Sequence, residues 1–184
     1  MTGTAVALAL CAAALSVLAA CGTGDGRQGA EPRGDLTLDE ARAFDELPLV
    51  YAGELVDGLP LTAILRRDDT ARYVSFVYGD CRPTGGDGAC APPAEVQVWP
   101  AGARNLDSYG SATAAQVTPV PEPTTIRGLP GAFFDDGRRL EIYTPWTTIV
   151  LFAHSRDHVL TVAAALRCLA RAPPSESGNR TLDC

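Results

Sequence analysis

Basic residues are scarce in this 184-residue chain, 15 against 22 acidic ones, for a formal net charge of -7. Binding a phosphate backbone needs a basic footprint, so the balance argues against nucleic acid as a partner. Histidine is scarcer still: His154 and His158 are the two present. Long apolar runs are missing after residue 20, and a membrane-spanning helix needs about 20 such residues in succession. Catalytic motifs are missing too, with no G-x-S-x-G elbow, no H-E-x-x-H pair and no P-loop. The acidic pairs Asp68-Asp69 and Asp135-Asp136 fall in expected turns, where carboxylates are usually just solvated. The histidines have the i, i+4 spacing of a helical zinc pair, but no Cys or carboxylate cluster completes a site. With Ser155 as an N-cap, His154 precedes the helix, so the two rings need not share a face, and a solvated helix start is expected. No metal and no cofactor is implied.

What is present begins at the N-terminus, where "MTGTAVALALCAAALSVLAACG" is apolar from Ala5 to Leu18 and ends on Leu18-Ala19-Ala20-Cys21. The run suits the apolar region of a secretory signal, about 7 to 15 residues long. The final four residues resemble the lipobox of bacterial lipoproteins. That resemblance implies cleavage after residue 20, a diacylated Cys21 thiol, and anchoring on the extracytoplasmic face of the cell membrane, since two acyl chains hold durably where one is marginal. No Lys or Arg precedes the apolar run, a departure from the usual signal. Cys11 follows Leu10, lacks the small preceding residue, and leaves with the signal. Residues 1–20 are therefore the signal peptide and 21–35 the lipid anchor and tether. The Gly, Pro and charged residues of 22–35 cannot bury enough surface to offset ordering.

Residues 36–184 read as a single α+β domain. Thr37 and Glu40 have capping-box spacing, predicting a short helix from about Leu38 to Asp45 that Pro48 stops. Strand-like alternation follows. Leu61, Ala63 and Leu65 share one face of a strand; Val74, Phe76 and Tyr78 share one face of its partner. In "EVQVW", Val96 and Val98 point inward, and Glu95, Gln97 and Trp99 outward. Residues 100–124 show no clear period and read as a surface excursion. Asp136-Gly137 between two β-prone runs predicts a type I′ hairpin turn, and "TTIVLFA" a central strand. "GLP" at Gly58 and Gly128 is followed each time by a strand, a charged turn and a strand, the trace of a duplicated hairpin unit. Ser155 caps a helix over 156–170, with Val159, Val162, Ala163, Leu166 and Leu169 on one stripe. Strands grouped together with one closing helix point to an antiparallel sheet of about six to seven strands, with the C-terminal helix on one face and the short helix at the start. Val74, Phe76, Val96, Val98, Ile142, Leu151, Val162 and Leu166 form the expected core.

Four cysteines remain outside the anchor, and in an oxidising compartment paired thiols are the default. Zinc knuckles and redox pairs use closer spacings than the eight residues between Cys81 and Cys90. Proximity along the chain favours Cys81 with Cys90 and Cys168 with Cys184. Gly85, Gly86 and Gly88 let the first loop fold back.

In "VSFVYGDC", "CAPPAEVQVWP" and "TIRGLPGAFF...LEIYTPWTTIVLFA" the chain resembles a group of uncharacterised exported lipoproteins of high-GC actinobacteria, over about Ala43 to Leu169. The resemblance implies the same compartment and fold, and carries no activity. Two functional classes stay open. One is a non-catalytic envelope module, binding or structural, that takes an envelope protein, a glycan or a small apolar ligand, with Trp99, Tyr143 and Trp146 as candidate contacts. The other is an envelope hydrolase or redox accessory protein with dispersed catalytic residues.

Overall fold

The computed structural model describes residues 34–68, 71–81, 90–104 and 120–169, together with Leu182 and Cys184. The signal segment, Cys21 and most of the tether lie outside them. Asp35, read as the last residue of the tether, is instead hydrogen-bonded to the domain. The Leu36 N–H donates to the Ile64 carbonyl at 3.1 Å, and Asp35 accepts from the Arg66 N–H at 3.1 Å. The first helix, α1, is Leu38–Arg42, shorter than expected but closed by the anticipated box: Thr37 Oγ1 accepts from the Glu40 N–H, and Glu40 accepts from the Thr37 N–H at 2.7 Å.

Ten strands follow among the described residues: β1 Val50–Tyr51, β2 Leu55–Val56, β3 Leu59–Arg67, β4 Tyr73–Tyr78, β5 Ala94–Pro100, β6 Glu122–Ile126, β7 Leu129–Phe134, β8 Arg139–Tyr143, β9 Thr147–Ala153 and β10 Arg167–Cys168. Eight of them form one antiparallel sheet in the order β2-β3-β4-β5-β9-β8-β7-β6, more than the six or seven expected, and β1 pairs with β10 in a separate two-stranded ladder. The additional sheet strands are the short β2 and β6, and β6 corrects the reading of 100–124 as wholly irregular. Residues 105–119 of that stretch lie outside the described residues. Pro123 in β6 has no N–H to offer a further strand, which blunts that edge of the sheet.

The sheet is two four-strand meanders joined through their last strands. β2 to β5 form one and β6 to β9 the other, and β5 pairs with β9 over seven residue pairs centred on Gln97 and Val150. Each meander opens on the same hairpin. Val56 faces Leu59 across Asp57-Gly58, and Ile126 faces Leu129 across Arg127-Gly128. All four turn residues have positive φ, 49° and 76° in the first turn and 53° and 82° in the second, which is the type I′ geometry that twists with the strands. The repeated "GLP" therefore marks a repeated structural unit.

Two sequence readings of strand detail change. A bulge between Leu61 and Ala63 breaks the alternation of β3: Leu61 and Ile64 enter the main core, while Ala63 turns with Val77 to the opposite face. One extra residue in a ladder shifts the parity of everything beyond it. The 135–138 connection is a hairpin, but not the two-residue turn expected. Asp135, Asp136 and Gly137 are all left-handed, with φ of 52°, 57° and 85°.

The second helix, α2, is Arg156–Ala165, with the Ser155 hydroxyl accepting from the His158 N–H. It ends five residues earlier than expected, because Arg167 and Cys168 pair with β1. Leu166 and Leu169 are still buried, but from extended chain, and Cys168 sits on a strand. One face of the sheet is covered by α1, α2, the β1 and β10 ladder and Leu182. Every expected core residue lies in this layer. Tyr78 is fully buried there, its hydroxyl accepting from the Ala52 N–H at 2.9 Å, and burial pushes its pKa well up.

Candidate functional site

Where β9 ends, the chain passes through His154 and Ser155 into α2, and three elements meet around a cavity. Its lining residues are Ala91, Pro92, Pro93 and Glu95 before and within β5, Asp135 and Arg138 in the left-handed turn, and Phe152, Ala153 and His154 at the end of β9. The volume is about 580 Å³. Its walls are mostly proline, alanine and phenylalanine, with one imidazole, two carboxylates and one guanidinium placed among them. Glu95 is held in place: its Oε1 accepts from Ser75 Oγ at 2.5 Å and from Gln97 Nε2 at 2.9 Å.

His154 leads from this cavity to the other side of the sheet. Its Nδ1 lies 2.9 Å from His158 Nδ1, with the ring centroids 4.4 Å apart. His158 is 6% exposed, and its Nε2 is 3.5 Å from the Asp57 carboxylate, within ion-pair range but not in hydrogen-bond geometry. Asp57 is exposed in the first I′ turn. Burial holds the His158 pKa below the ordinary imidazole value, the neighbouring His154 lowers it further, and Asp57 opposes both. The expectation of a solvated helix start holds for His154, Arg156 and Asp157, which are exposed, and fails for His158, which is buried with its ring against His154. The sheet end forces a tight strand-to-helix passage, and packing of α2 turns the His158 ring inward against His154.

The second face of the sheet carries the sequence-predicted aromatics. Trp99 and Tyr143 stand in one row across the strands, separated by Thr148. Trp99 stacks on Tyr73 with centroids 4.3 Å apart, and Arg104 lies over the indole at 5.0 Å. Trp146 is 65% exposed in the turn between β8 and β9, where its carbonyl accepts from the Ala101 N–H. These three residues lie toward the Pro100 end of β5, whereas the cavity lies at the Ala94 end. At about 3.4 Å per residue, Glu95 and Trp99 are about 14 Å apart.

Between the two ends sits Glu141, fully buried, with Arg104 Nη2 at 2.9 Å, Tyr143 Oη at 3.1 Å and Arg139 Nε at 3.9 Å. Arg139 stacks on Phe134 at 4.4 Å. An ionised carboxylate is tolerated in such a place only when paired, and here cations approach from two sides. Sequence reading missed Glu141, since "RLEIY" looks like any alternating strand with its polar residue turned to water. It missed Asp57, Glu95, Asp135 and Arg138 as pocket or relay residues because they converge from three separate segments. The i, i+4 histidines were the available signal.

The cysteines pair as the spacing suggests, Cys81 with Cys90 and Cys168 with Cys184, at Cα separations of 5.7 and 5.6 Å. No three or more His, Cys, Asp or Glu side chains among the described residues are grouped to hold a metal ion. Compared with protein-family models, curated proteins and solved structures, the chain matches none. What the fold and the cavity define is a disulfide-stapled α+β domain built from a repeated meander, with a small, mainly apolar pocket at one end of its central strands.

Proposed function

We propose that this chain is an exported domain tethered by lipid on Cys21 to the extracytoplasmic face of the membrane, and that the domain binds a small, largely apolar molecule without transforming it. The observation that carries the binding reading is the cavity at the end of β5 and β9. A pocket of a few hundred cubic ångströms with apolar walls and a few convergent polar groups is the usual form of a small-molecule site. None of its described lining residues is a Ser, Thr or Cys, so it offers no side-chain hydroxyl or thiol nucleophile. The Asp57, His158 and His154 chain is what a hydrolase reading would use as its base, and that reading would need an activated water in place of a nucleophile. The two disulfides support the export reading, since such bonds persist in oxidising compartments. The resemblance to exported actinobacterial lipoproteins supports it as well.

Two measurements test these readings. In cells fed labelled palmitate, the native protein should carry label and fractionate with membranes, and Cys21→Ala should lose both; label on that variant would overturn the anchor. The intact protein, purified from membranes, should retain a small apolar molecule detectable by mass spectrometry of its solvent extract. Pro92→Arg, which sets a long cation in the pocket wall, should lose it, while Leu160→Arg on the exposed side of α2 should not. Equal retention by both variants would remove the pocket from consideration.

A further inference from the structure

The contact between the two imidazoles constrains where their protons are. A neutral imidazole carries one N–H, so an Nδ1 to Nδ1 hydrogen bond of 2.9 Å requires one ring to donate and the other to accept. If His158 donated, its buried Nε2 lone pair would face the Asp57 carboxylate 3.5 Å away, lone pair against negative charge. If His154 donates, His158 accepts at Nδ1 and holds its own proton at Nε2, 3.5 Å from the nearest Asp57 oxygen though not aligned to hydrogen-bond with it. Coulomb interaction at that distance, between a buried Nε2 and an exposed carboxylate, favours the second arrangement. His154 then has its proton on Nδ1 and a lone pair on Nε2, the nitrogen not taken by the contact with His158, in a residue that lines the pocket.

We propose that His154 is the recognition residue of this pocket, accepting at Nε2 the O–H of a neutral, ring-bearing, hydroxylated molecule, with its tautomer set through His158 by Asp57. The assignment rests on the pocket being the binding site. The remaining walls define the rest of the ligand. Pro92, Pro93 and Phe152 offer flat apolar faces to a ring. Glu95 and Asp135 are set against Arg138 and against Arg139, whose Nε is 3.4 Å from Asp135, a balance with no net charge to favour an ionic ligand. A ligand that brings its own O–H hydrogen-bonds the Nε2 lone pair, and one that lacks it forgoes that bond.

The test uses the full-length protein near neutral pH and two probes of nearly equal shape, 4-hydroxybenzamide and its methyl ether, 4-methoxybenzamide. Long-range nitrogen-15 correlation of the histidine rings should place the protons on Nδ1 of His154 and Nε2 of His158. The reverse pattern overturns the proposal without reference to any ligand. The hydroxylated probe should bind about five- to tenfold more tightly than the ether, the range that one hydrogen bond supplies. That preference should fall to about unity in His154→Phe and in Asp57→Asn; Asn tolerates the left-handed turn position, so the second variant keeps the fold. Equal binding of both probes by the native protein overturns the role of His154 while leaving the pocket in place. Binding of neither overturns the ligand class and the pocket reading together.

Discussion

Asp57 and Arg127 hold the same position in two I′ turns, one opening each meander, and reach toward opposite ends of α2. Asp57 lies 3.5 Å from His158 in the first turn of the helix, and Arg127 Nη1 donates to the Leu166 carbonyl at its C-cap at 2.6 Å. The acid stands near the positive end of the helix dipole and the base at the negative end. The repeated hairpin thus clamps a helix that has no repeat of its own.

Arg127→Met should remove the charged hydrogen bond to the C-cap while keeping much of the side-chain volume. A loss of about 1.5 to 3 kcal/mol is expected from a hydrogen bond to a charged group. Urea unfolding at fixed pH measures it, and a change below a few tenths would show that the Leu166 carbonyl finds another donor.

The glycines separate backbone strain from steric conflict. Gly58 and Gly128 have φ of 76° and 82° with open space where a Cβ would stand, so Gly→Ala at either costs about 1 to 2 kcal/mol through the left-handed backbone alone. Gly131 has no such angle, but a Cβ there would lie 2.6 Å from the Glu141 carbonyl oxygen. Gly131→Ala must push β7 away from β8 and should destabilise more than either turn variant in the same unfolding assay.

His158 makes stability depend on pH. Its folded-state pKa is lowered by burial, then by His154, so below the ordinary value of about 6.5 the unfolded chain binds more protons than the folded one. The stabilisation is present above that value and falls away as the pH drops through it toward the lower folded pKa. Thermal unfolding from pH 7.5 downward should show the loss, and His158→Gln should flatten the profile in that window. An unchanged profile would mean the slope comes from carboxylates.

The two disulfides should differ in what they protect. Cys168 and Cys184 are 16 residues apart and tie down a tail that places Leu182, 3% exposed, in the core. Cys168→Ser with Cys184→Ser should cost about 3 kcal/mol in loop-closure terms, plus the burial of Leu182. Cys81→Ser with Cys90→Ser opens a shorter loop, 9 residues in separation, and should cost less in the same terms. Comparing the two double variants by denaturant midpoint decides the order.

Much of this architecture is legible in the residues alone, because it depends on local chemistry. Val74, Phe76, Val96 and Val98 declare their face by alternation, Thr37 and Ser155 cap their helices by short-range hydrogen bonds, and the two "GLP" stretches mark the repeated hairpin, each supplying the Gly of its turn. Near-neighbour spacing also suffices for the cysteine pairs. Other features need the whole sheet in place. The bulge in β3 exists because Leu61 and Ile64 must both reach one core, β10 because Cys168 meets β1 only after α2 has crossed the sheet, and β6 because β7 offers it a ladder. Nothing within "RLEIY" shows that Glu141 is buried between arginines, and nothing within "AHSRDH" shows that the two rings touch. The contacts of Arg104 with Glu141 and of Asp57 with His158 join segments tens of residues apart, and the two rings meet only once α2 is packed, so the tertiary fold alone brings Asp57, His158 and His154 together beside the pocket.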